Sequence, residues 1–335
     1  MNDNTPTHLT VRRIADIPIQ DTQKRWLIKD LWALEAVGII GGAPKCCKSW
    51  LGLDLAISVA SKTPCLGFFP VQHSGGALVY LAEDASPMVR QRVLGICNHR
   101  KIDIHSLELN IIDAPSLRLD LESDRTRLRD AIERLNPKLL LLDPLVRLHR
   151  ADENSSADIS ALLGFLRELQ RQFNMAVVLV HHMSKKHRPQ LGQALRGSGD
   201  LHAFGDCNAY LVRKDKKLLL SLEHRFAPTS EPMKLDLVSD INGLNTHLQL
   251  ADDSIQSQQN LPLEEAVRLT LANSEEPLTR VALRNILHVN NQRLGIVLSD
   301  LENNRTISRG PNGWSLISGP IINNDNNDPS QLALL

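Results

Sequence analysis

Residues 42–49 read GAPKCCKS and follow the G-x-x-x-x-G-K-[ST] spacing of a phosphate-binding loop at every fixed position but one. The segment stands between an apolar run, residues 37–40, and an amphipathic stretch that begins at Ser49. In such a loop, backbone N–H groups surround phosphate oxygens, the lysine neutralises their charge and the hydroxyl binds Mg²⁺. We therefore predict ATP and Mg²⁺ as cofactors, with nucleotide contacts from Gly42, Ala43, Pro44, Lys45, Cys46, Cys47, Lys48, Ser49 and Trp50.

Cys47 is the departure from this pattern, because it stands where the second glycine is expected. Glycine serves there since the backbone takes a conformation that a Cβ disfavours. Left-handed backbone at a cysteine costs roughly 1–2 kcal/mol, which predicts ATP binding weakened by about tenfold or more. The adjacent Cys46 and Cys47 form either a strained disulfide or, as we expect, two inert thiols. The alternative interpretation of the segment is a strand-to-helix turn with incidental Lys48 and Ser49.

Two further apolar runs end in carboxylates. The run KLLLLD ends in Asp143 and has the form of a Walker B strand, whose carboxylate would bind Mg²⁺ together with Ser49. The run ALVYLA leads into Glu83 and Asp84, and we predict Glu83 as the general base that polarises the attacking water. Asp84 is the member of this pair expected to be structural. Plain strand-to-turn transitions are the alternative interpretation at both positions.

A histidine pair and a basic segment follow. The run MAVVLVHH ends in His181 and His182, one of which would hydrogen-bond the γ-phosphate; a metal site is the competing hypothesis, but no further Cys or His has ligand spacing. The segment 184–206 has no acidic residue before Asp200, and its basic residues are Lys185, Lys186, Arg188 and Arg196. We predict a loop that contacts single-stranded DNA phosphates or reaches a neighbouring subunit's nucleotide. A solvated basic loop is the alternative.

The spacing of apolar residues along the chain predicts the strands and helices that would position these candidate residues. Strands are predicted over 37–40, 77–82, 109–112, 138–143 and 175–182, and helices over 49–60, 87–99, 123–135 and 158–173. Strands that are apolar on both faces and alternate with helices indicate a mostly parallel sheet flanked by helices. The predicted class is α/β. After residue 205, three consecutive stretches are expected to add antiparallel strands at the sheet edge.

The chain is predicted to divide into an N-terminal arm (1–25), an ATPase core (26–240), a linker (241–260), a small α+β domain (261–318) and a disordered tail (319–335). The small domain reads as three short helices and a hairpin, which resembles a winged helix. Its third helix would then offer Asn291, Gln292 and Arg293 to DNA bases. This segment carries six Arg, no Lys and six acidic residues, so protein contact is the alternative to DNA binding.

The amino-acid composition of the chain limits the classes of function that can be argued for it. Lys plus Arg and Asp plus Glu are 38 each in 335 residues, so any argument for a nucleic-acid partner must be local. Five cysteines are an odd number, and no stretch approaches 18 consecutive apolar residues. We expect a cytoplasmic protein without membrane association.

Taken together, the motifs GGAPKCCKSWLGLDLA, LVYLAED, LLLLDPLVRLHRADENSSAD, VLVHHMSK and ALRGSGDLHAFGD resemble the RecA-type ATPases of the RepA hexameric helicase family, over about residues 26–226. The resemblance implies Lys48 and Ser49 for phosphate and Mg²⁺, Glu83 as base and Asp143 as the Walker B carboxylate. It further implies His182 as sensor, Arg196 as an arginine finger acting in trans, and Asn154 in a loop that faces the channel. Cys47 departs from the glycine of that family.

The resulting hypothesis is a ring-forming ATPase, expected to be a hexamer, that couples ATP hydrolysis to translocation on single-stranded DNA in plasmid or mobile-element replication. Replication proteins would be contacted through the winged helix. The alternatives are a hydrolysis-impaired, nucleotide-dependent DNA-binding regulator, favoured by Cys47, and a loader that binds DNA without unwinding it.

Overall fold

A computed structural model describes residues 11–17, 25–150, 156–183, 192, 195, 200–214, 217–228, 231–251, 263–272, 274, 276–287 and 291–317. The chain divides into two compact units, Met1–Ile255 and Gln256–Leu335. Of the predicted N-terminal arm, the structure describes residues 11–17, which contain a 3₁₀ turn at Ile14–Asp16. The predicted tail, 319–335, lies outside the described residues.

The first unit is built on a nine-stranded sheet with the strand order β11-β10-β9-β8-β3-β7-β6-β4-β5. The strands from β8 to β5 in this order are parallel to their neighbours, and β9, β10 and β11 are antiparallel. Their bounds are β3 Val37–Gly42, β4 Ala77–Leu81, β5 Leu109–Ile111, β6 Leu139–Asp143, β7 Ala176–His182, β8 Cys207–Lys214, β9 Lys217–His224, β10 Met233–Val238 and β11 His247–Leu250. A small hairpin, β1 Trp26–Ile28 and β2 Trp32–Ala33, precedes them.

Helices cover both faces of this sheet, as the apolar strands require. Within β6, Leu139 and Leu141 pack into one core cluster and Leu140 and Leu142 into the other. The first cluster includes residues of α1 (Lys48–Ser61) and α2 (Ser86–Arg100), and the second includes residues of α3 (Glu122–Leu135) and α4 (Ser156–Phe173). A short helix, α5 (Asp200–Phe204), leads into β8. The predicted α/β class with a mostly parallel sheet flanked by helices is confirmed.

Two expectations about the sheet edge are wrong. β8 was predicted as an antiparallel addition but runs parallel to β3, because the chain returns through α5 to the edge where β3 begins. The predicted linker 241–260 contains β11, which pairs with β10 and buries Leu248 and Leu250. Alternate leucines in a polar stretch therefore extend the sheet.

Glycine at position 38 permits the close packing of β3 on β8. A Cβ at Gly38 would lie 1.6 Å from the carbonyl oxygen of Cys207. No larger residue fits without moving a strand, so this glycine fixes the spacing of the strand that leads into the phosphate loop.

A buried ion pair joins α1 to α2 beneath the site. Asp54 is fully buried, and both of its carboxylate oxygens accept hydrogen bonds from Arg100 at 2.6 Å. The Leu66 backbone N–H also donates to Asp54, at 2.7 Å. These bonds compensate part of the desolvation cost of two buried charges.

The second unit contains α6 (Leu263–Ala272), α7 (Arg280–Leu287), α8 (Asn291–Asn303), β12 (Ile307–Gly310) and β13 (Gly313–Leu316). The three helices and the hairpin match the predicted elements. Trp314 of β13 also forms an isolated antiparallel bridge with Leu278, and the unit has its own core around Val267, Leu283 and Leu298. None of the helices within the described residues is long and apolar enough to cross a membrane.

Candidate active site

Four strand ends bring the candidate catalytic residues to one edge of the sheet. β7 lies between β3 and β6, and β4 lies on the far side of β6. Because these strands are parallel, the loop after β3, His182 at the end of β7, Asp143 at the end of β6 and Glu83 just after β4 all lie at the carboxyl-terminal edge. This edge is where open α/β sheets bind their ligands.

The loop between β3 and α1 has the backbone of a phosphate-binding turn. Lys45 and Cys47 both have positive φ, 63° and 60°, and Cys47 is the N-cap of α1. Lys48 folds back over the loop and its Nζ donates to the Ala43 carbonyl at 3.0 Å. Burial lowers the pKa of Lys48, while the nearby Asp143 opposes that shift. The loop therefore presents the N-terminus of α1 and a lysine to an anion.

Cys47 adopts the left-handed conformation that the pattern assigns to glycine, with φ 60° and ψ 24°. Burial raises the pKa of the Cys47 thiol above its usual value, and the nearby Arg213 guanidinium, at the end of β8, opposes that shift. Cys46 is buried in the core, and both cysteines are free thiols, as expected.

Asp143 and Ser49 form the candidate magnesium site. The Ser49 hydroxyl lies near the Asp143 carboxylate, and Asp143 is 6% exposed. Burial raises the pKa of Asp143 to about 6, against the lowering effects of Ser49 and Lys48. Among the described residues, Asp143 Oδ2 is buried and accepts no hydrogen bond.

These oxygens fit Mg²⁺, which is typically held by one or two carboxylates, substrate phosphates and water. Among the described residues, no group of three or more His, Cys, Asp or Glu side chains could hold a metal ion.

Glu83 and Asp84 have different surroundings. Asp84 makes a two-bond ion pair with Arg92 at 2.6 and 2.9 Å, as expected for a structural residue. Glu83 Oε1 accepts from Arg147 Nε at 2.8 Å, and both side chains are about half exposed. Arg147 lies in the 3₁₀ turn Leu145–Arg147 that follows Asp143. Glu83 is thus accessible, and its role as general base stays a prediction.

His182 is paired in register with Gly42, so it lies next to the start of the loop, whereas His181 is buried. Asn291, Gln292 and Arg293 form the first turn of α8 in the second unit. The remaining predicted residues lie outside the described part of the chain: Asn154, Lys185, Lys186, Arg188 and Arg196.

Sequence reasoning missed Arg147 and Arg213. Neither belongs to a motif with fixed spacing, and each contacts its partner across strands that are distant in sequence. The sequence does place each arginine at or just after the end of an apolar run, in KLLLLDPLVR and NAYLVR.

Comparison with known proteins identifies the family. The protein-family model described as "AAA domain" matches residues 4–188, more than half of the 335-residue chain. The chain belongs to this family. The match includes the loop, Glu83, Asp143 and His182, so this AAA domain contains the residues that form the strand-end site.

No curated protein matches the sequence of this AAA-domain protein. A solved structure described as "Crystal structure of the RadB recombinase" is similar to it with a TM-score of 0.47 and 15% identity, over 64% of this chain and 91% of that chain. The phosphate loop, the family match and the sheet together describe an AAA domain with a P-loop on a mostly parallel sheet.

Proposed function

We propose that this protein hydrolyses ATP with Mg²⁺ at the carboxyl-terminal edge of its sheet. The observation that carries the proposal is the buried Asp143 carboxylate, which lies near Ser49 and Lys48 of the phosphate loop and near Glu83. In an ATPase, each of these groups has a defined task.

The roles follow from the positions. Lys48 and the loop N–H groups bind the phosphates of ATP, and Ser49 with Asp143 would hold Mg²⁺, which neutralises phosphate charge. Glu83 accepts a proton from the water whose oxygen attacks the γ-phosphorus, as the bond to the bridging oxygen of ADP breaks. His182, beside Gly42, hydrogen-bonds the γ-phosphate.

Glu83→Gln tests this assignment. Removing the proton acceptor should lower kcat about 10²- to 10⁴-fold and leave the Kd for ATP within a few-fold of wild type. Glu168→Gln is the matched control, because Glu168 is an exposed carboxylate of α4 that also pairs with an arginine, Arg129. Equal kcat values for Glu83→Gln and wild type would contradict the assignment.

We further propose that the subunits form a ring that moves on single-stranded DNA. The support is the ordered set of five sequence motifs, which includes Arg196 in RGSG and the basic residues Lys185, Lys186 and Arg188. In this arrangement Arg196 of one subunit stabilises the transition state at the next subunit's ATP.

Subunit mixing tests the trans role of Arg196. Arg196→Ala and Glu83→Gln should each be inactive alone, with ATP binding retained. Mixed together, they should regain turnover, because some interfaces then combine an intact Glu83 with an intact Arg196. Mixtures without activity would contradict catalysis across an interface.

The second unit supports a proposal of DNA recruitment. Three helices, a hairpin and the Leu278–Trp314 bridge are compatible with a winged helix, in which α8 enters the major groove. Arg293→Ala should then weaken duplex binding, as measured by fluorescence anisotropy, with little effect on ATP turnover. Unchanged duplex binding would favour replication proteins as the partner of this unit.

A hydrolysis-impaired, nucleotide-dependent DNA-binding regulator or loader is the second candidate, and the left-handed Cys47 favours it. It predicts ATP binding without turnover in the wild-type protein and turnover on Cys47→Gly. The ATPase proposal predicts turnover in both.

A further inference from the structure

Arg213 lies beside the phosphate loop, although it belongs to no recognised motif. β8 runs parallel to β3, with Leu211 in register with Gly42. Arg213 comes two residues later on the same strand, so it lies alongside the residues that follow Gly42. Its side chain is exposed at this carboxyl-terminal edge of the sheet.

The guanidinium has a weak partner there. The Arg213 guanidinium is close to the Cys47 sulfur, and a thiol is a poor hydrogen-bond acceptor. Among the described residues, no carboxylate forms an ion pair with Arg213. An exposed guanidinium without a described counter-ion therefore lies beside an uncharged group of the loop.

A phosphate would displace this partner. Hydrogen bonds between a guanidinium and phosphate oxygens are charge-assisted and about twice as strong as neutral ones. Lys48 and Arg213 both act electrostatically on the Cys47 sulfur, so both cations are close to the last loop residue before α1. An anion that enters the loop would lie between a lysine of α1 and an arginine of β8.

We propose that Arg213 is a phosphate ligand of the bound nucleoside triphosphate, and that the Cys47 thiol holds its guanidinium at the loop when no nucleotide is present. This inference rests on the proposed function to the extent that the loop binds ATP. It gives the cysteine at the glycine position a role that glycine lacks.

Equilibrium binding of a fluorescent ATP analogue with Mg²⁺ to the full chain tests the proposal. Arg213→Gln should raise the Kd about tenfold or more, since hydrogen bonds to charged groups contribute about 1.5–3 kcal/mol and 1.4 kcal/mol is tenfold. Arg213→Lys should recover part of the loss. Arg171→Gln is the control, because Arg171 lies near the end of α4, which leads to the opposite edge of the sheet.

Cys47→Ala separates a phosphate ligand from a structural contact. It removes the thiol but keeps a side chain with a Cβ, so the Arg213→Gln effect on the ATP-analogue Kd can be measured with and without the thiol. If Arg213 binds phosphate directly, Arg213→Gln should raise the Kd about tenfold or more in the Cys47→Ala background as well. If Arg213→Gln leaves the Kd unchanged in that background, Arg213 acts only through the thiol and the proposal is overturned.

The outcomes also separate this inference from the proposed function. Wild-type protein that does not bind the ATP analogue contradicts both. Wild-type binding with an unchanged Kd for Arg213→Gln overturns the role of Arg213 and leaves the ATPase proposal intact. Thermal denaturation of each variant shows whether a loss of binding reflects unfolding.

Discussion

Replacing Cys47 with glycine tests whether the loop is strained in the folded chain. Cys47 has φ 60° and ψ 24° in the structure, a conformation that costs a non-glycine residue roughly 1–2 kcal/mol. Glycine removes that cost but loses more chain entropy on folding, about 0.5–1 kcal/mol. We expect Cys47→Gly to stabilise the protein by about 0.5–1 kcal/mol, which corresponds to a rise in Tm of roughly 1–4 °C.

Thermal denaturation followed by circular dichroism under reducing conditions measures this change. Cys46→Gly is the matched control: Cys46 is buried in the core and is absent from the residues with positive φ, so glycine there only removes packing. The control should lower Tm. A Cys47→Gly protein that is no more stable than wild type would refute the strain argument.

The same variant tests the expectation from the sequence that Cys47 weakens ATP binding by about tenfold. Cys47 has the left-handed conformation in the folded chain, and we expect the cost of that conformation to fall on folding. The Kd for ATP should then change less than about threefold in Cys47→Gly. A Kd that is tenfold tighter would instead support the expectation from the sequence.

Two further predictions concern stability. Asp54→Asn removes the charge that pairs with buried Arg100 and should lower the unfolding free energy by about 3 kcal/mol or more in urea denaturation, whereas exposed Asp130→Asn should have little effect. His99 stacks on buried His247, with the two ring centroids 3.4 Å apart. Two effects lower the pKa of His99 below 6.5: burial, which is the larger, and the charge of the nearby His247. The unfolded chain then binds more protons than the folded chain, so the free energy of unfolding should decrease as the pH drops below 6.5. His99→Gln should make this decrease smaller. A Tm that is constant between pH 7 and pH 5 would contradict the prediction.

The sequence predicts the parallel core well, because its strands and helices have strong periodicity. The predicted strand 138–143 is observed as β6, Leu139–Asp143, and the predicted helix 123–135 as α3, Glu122–Leu135. The ends of such apolar strands also locate Glu83 and Asp143. β11 escaped prediction because four residues with two buried leucines are too short to stand out from a polar stretch.

Two contacts of the candidate site could not be predicted from the sequence, because they join residues that are far apart along the chain. Arg147 contacts Glu83 across 64 residues of sequence, and the contact depends on β4 and β6 being adjacent in the sheet. Arg213 reaches Cys47 because β8 is parallel to β3, whereas an antiparallel β8 was predicted. Strand order and direction determine both contacts, and local residue patterns do not encode them.

ATP hydrolysis by the wild-type chain, measured in reducing buffer with Mg²⁺ and with EDTA, and with and without single-stranded DNA, tests the central claim most directly. We expect turnover that requires Mg²⁺ and rises when single-stranded DNA is added. An absence of turnover by protein that binds ATP would contradict the ATPase assignment and favour the regulator.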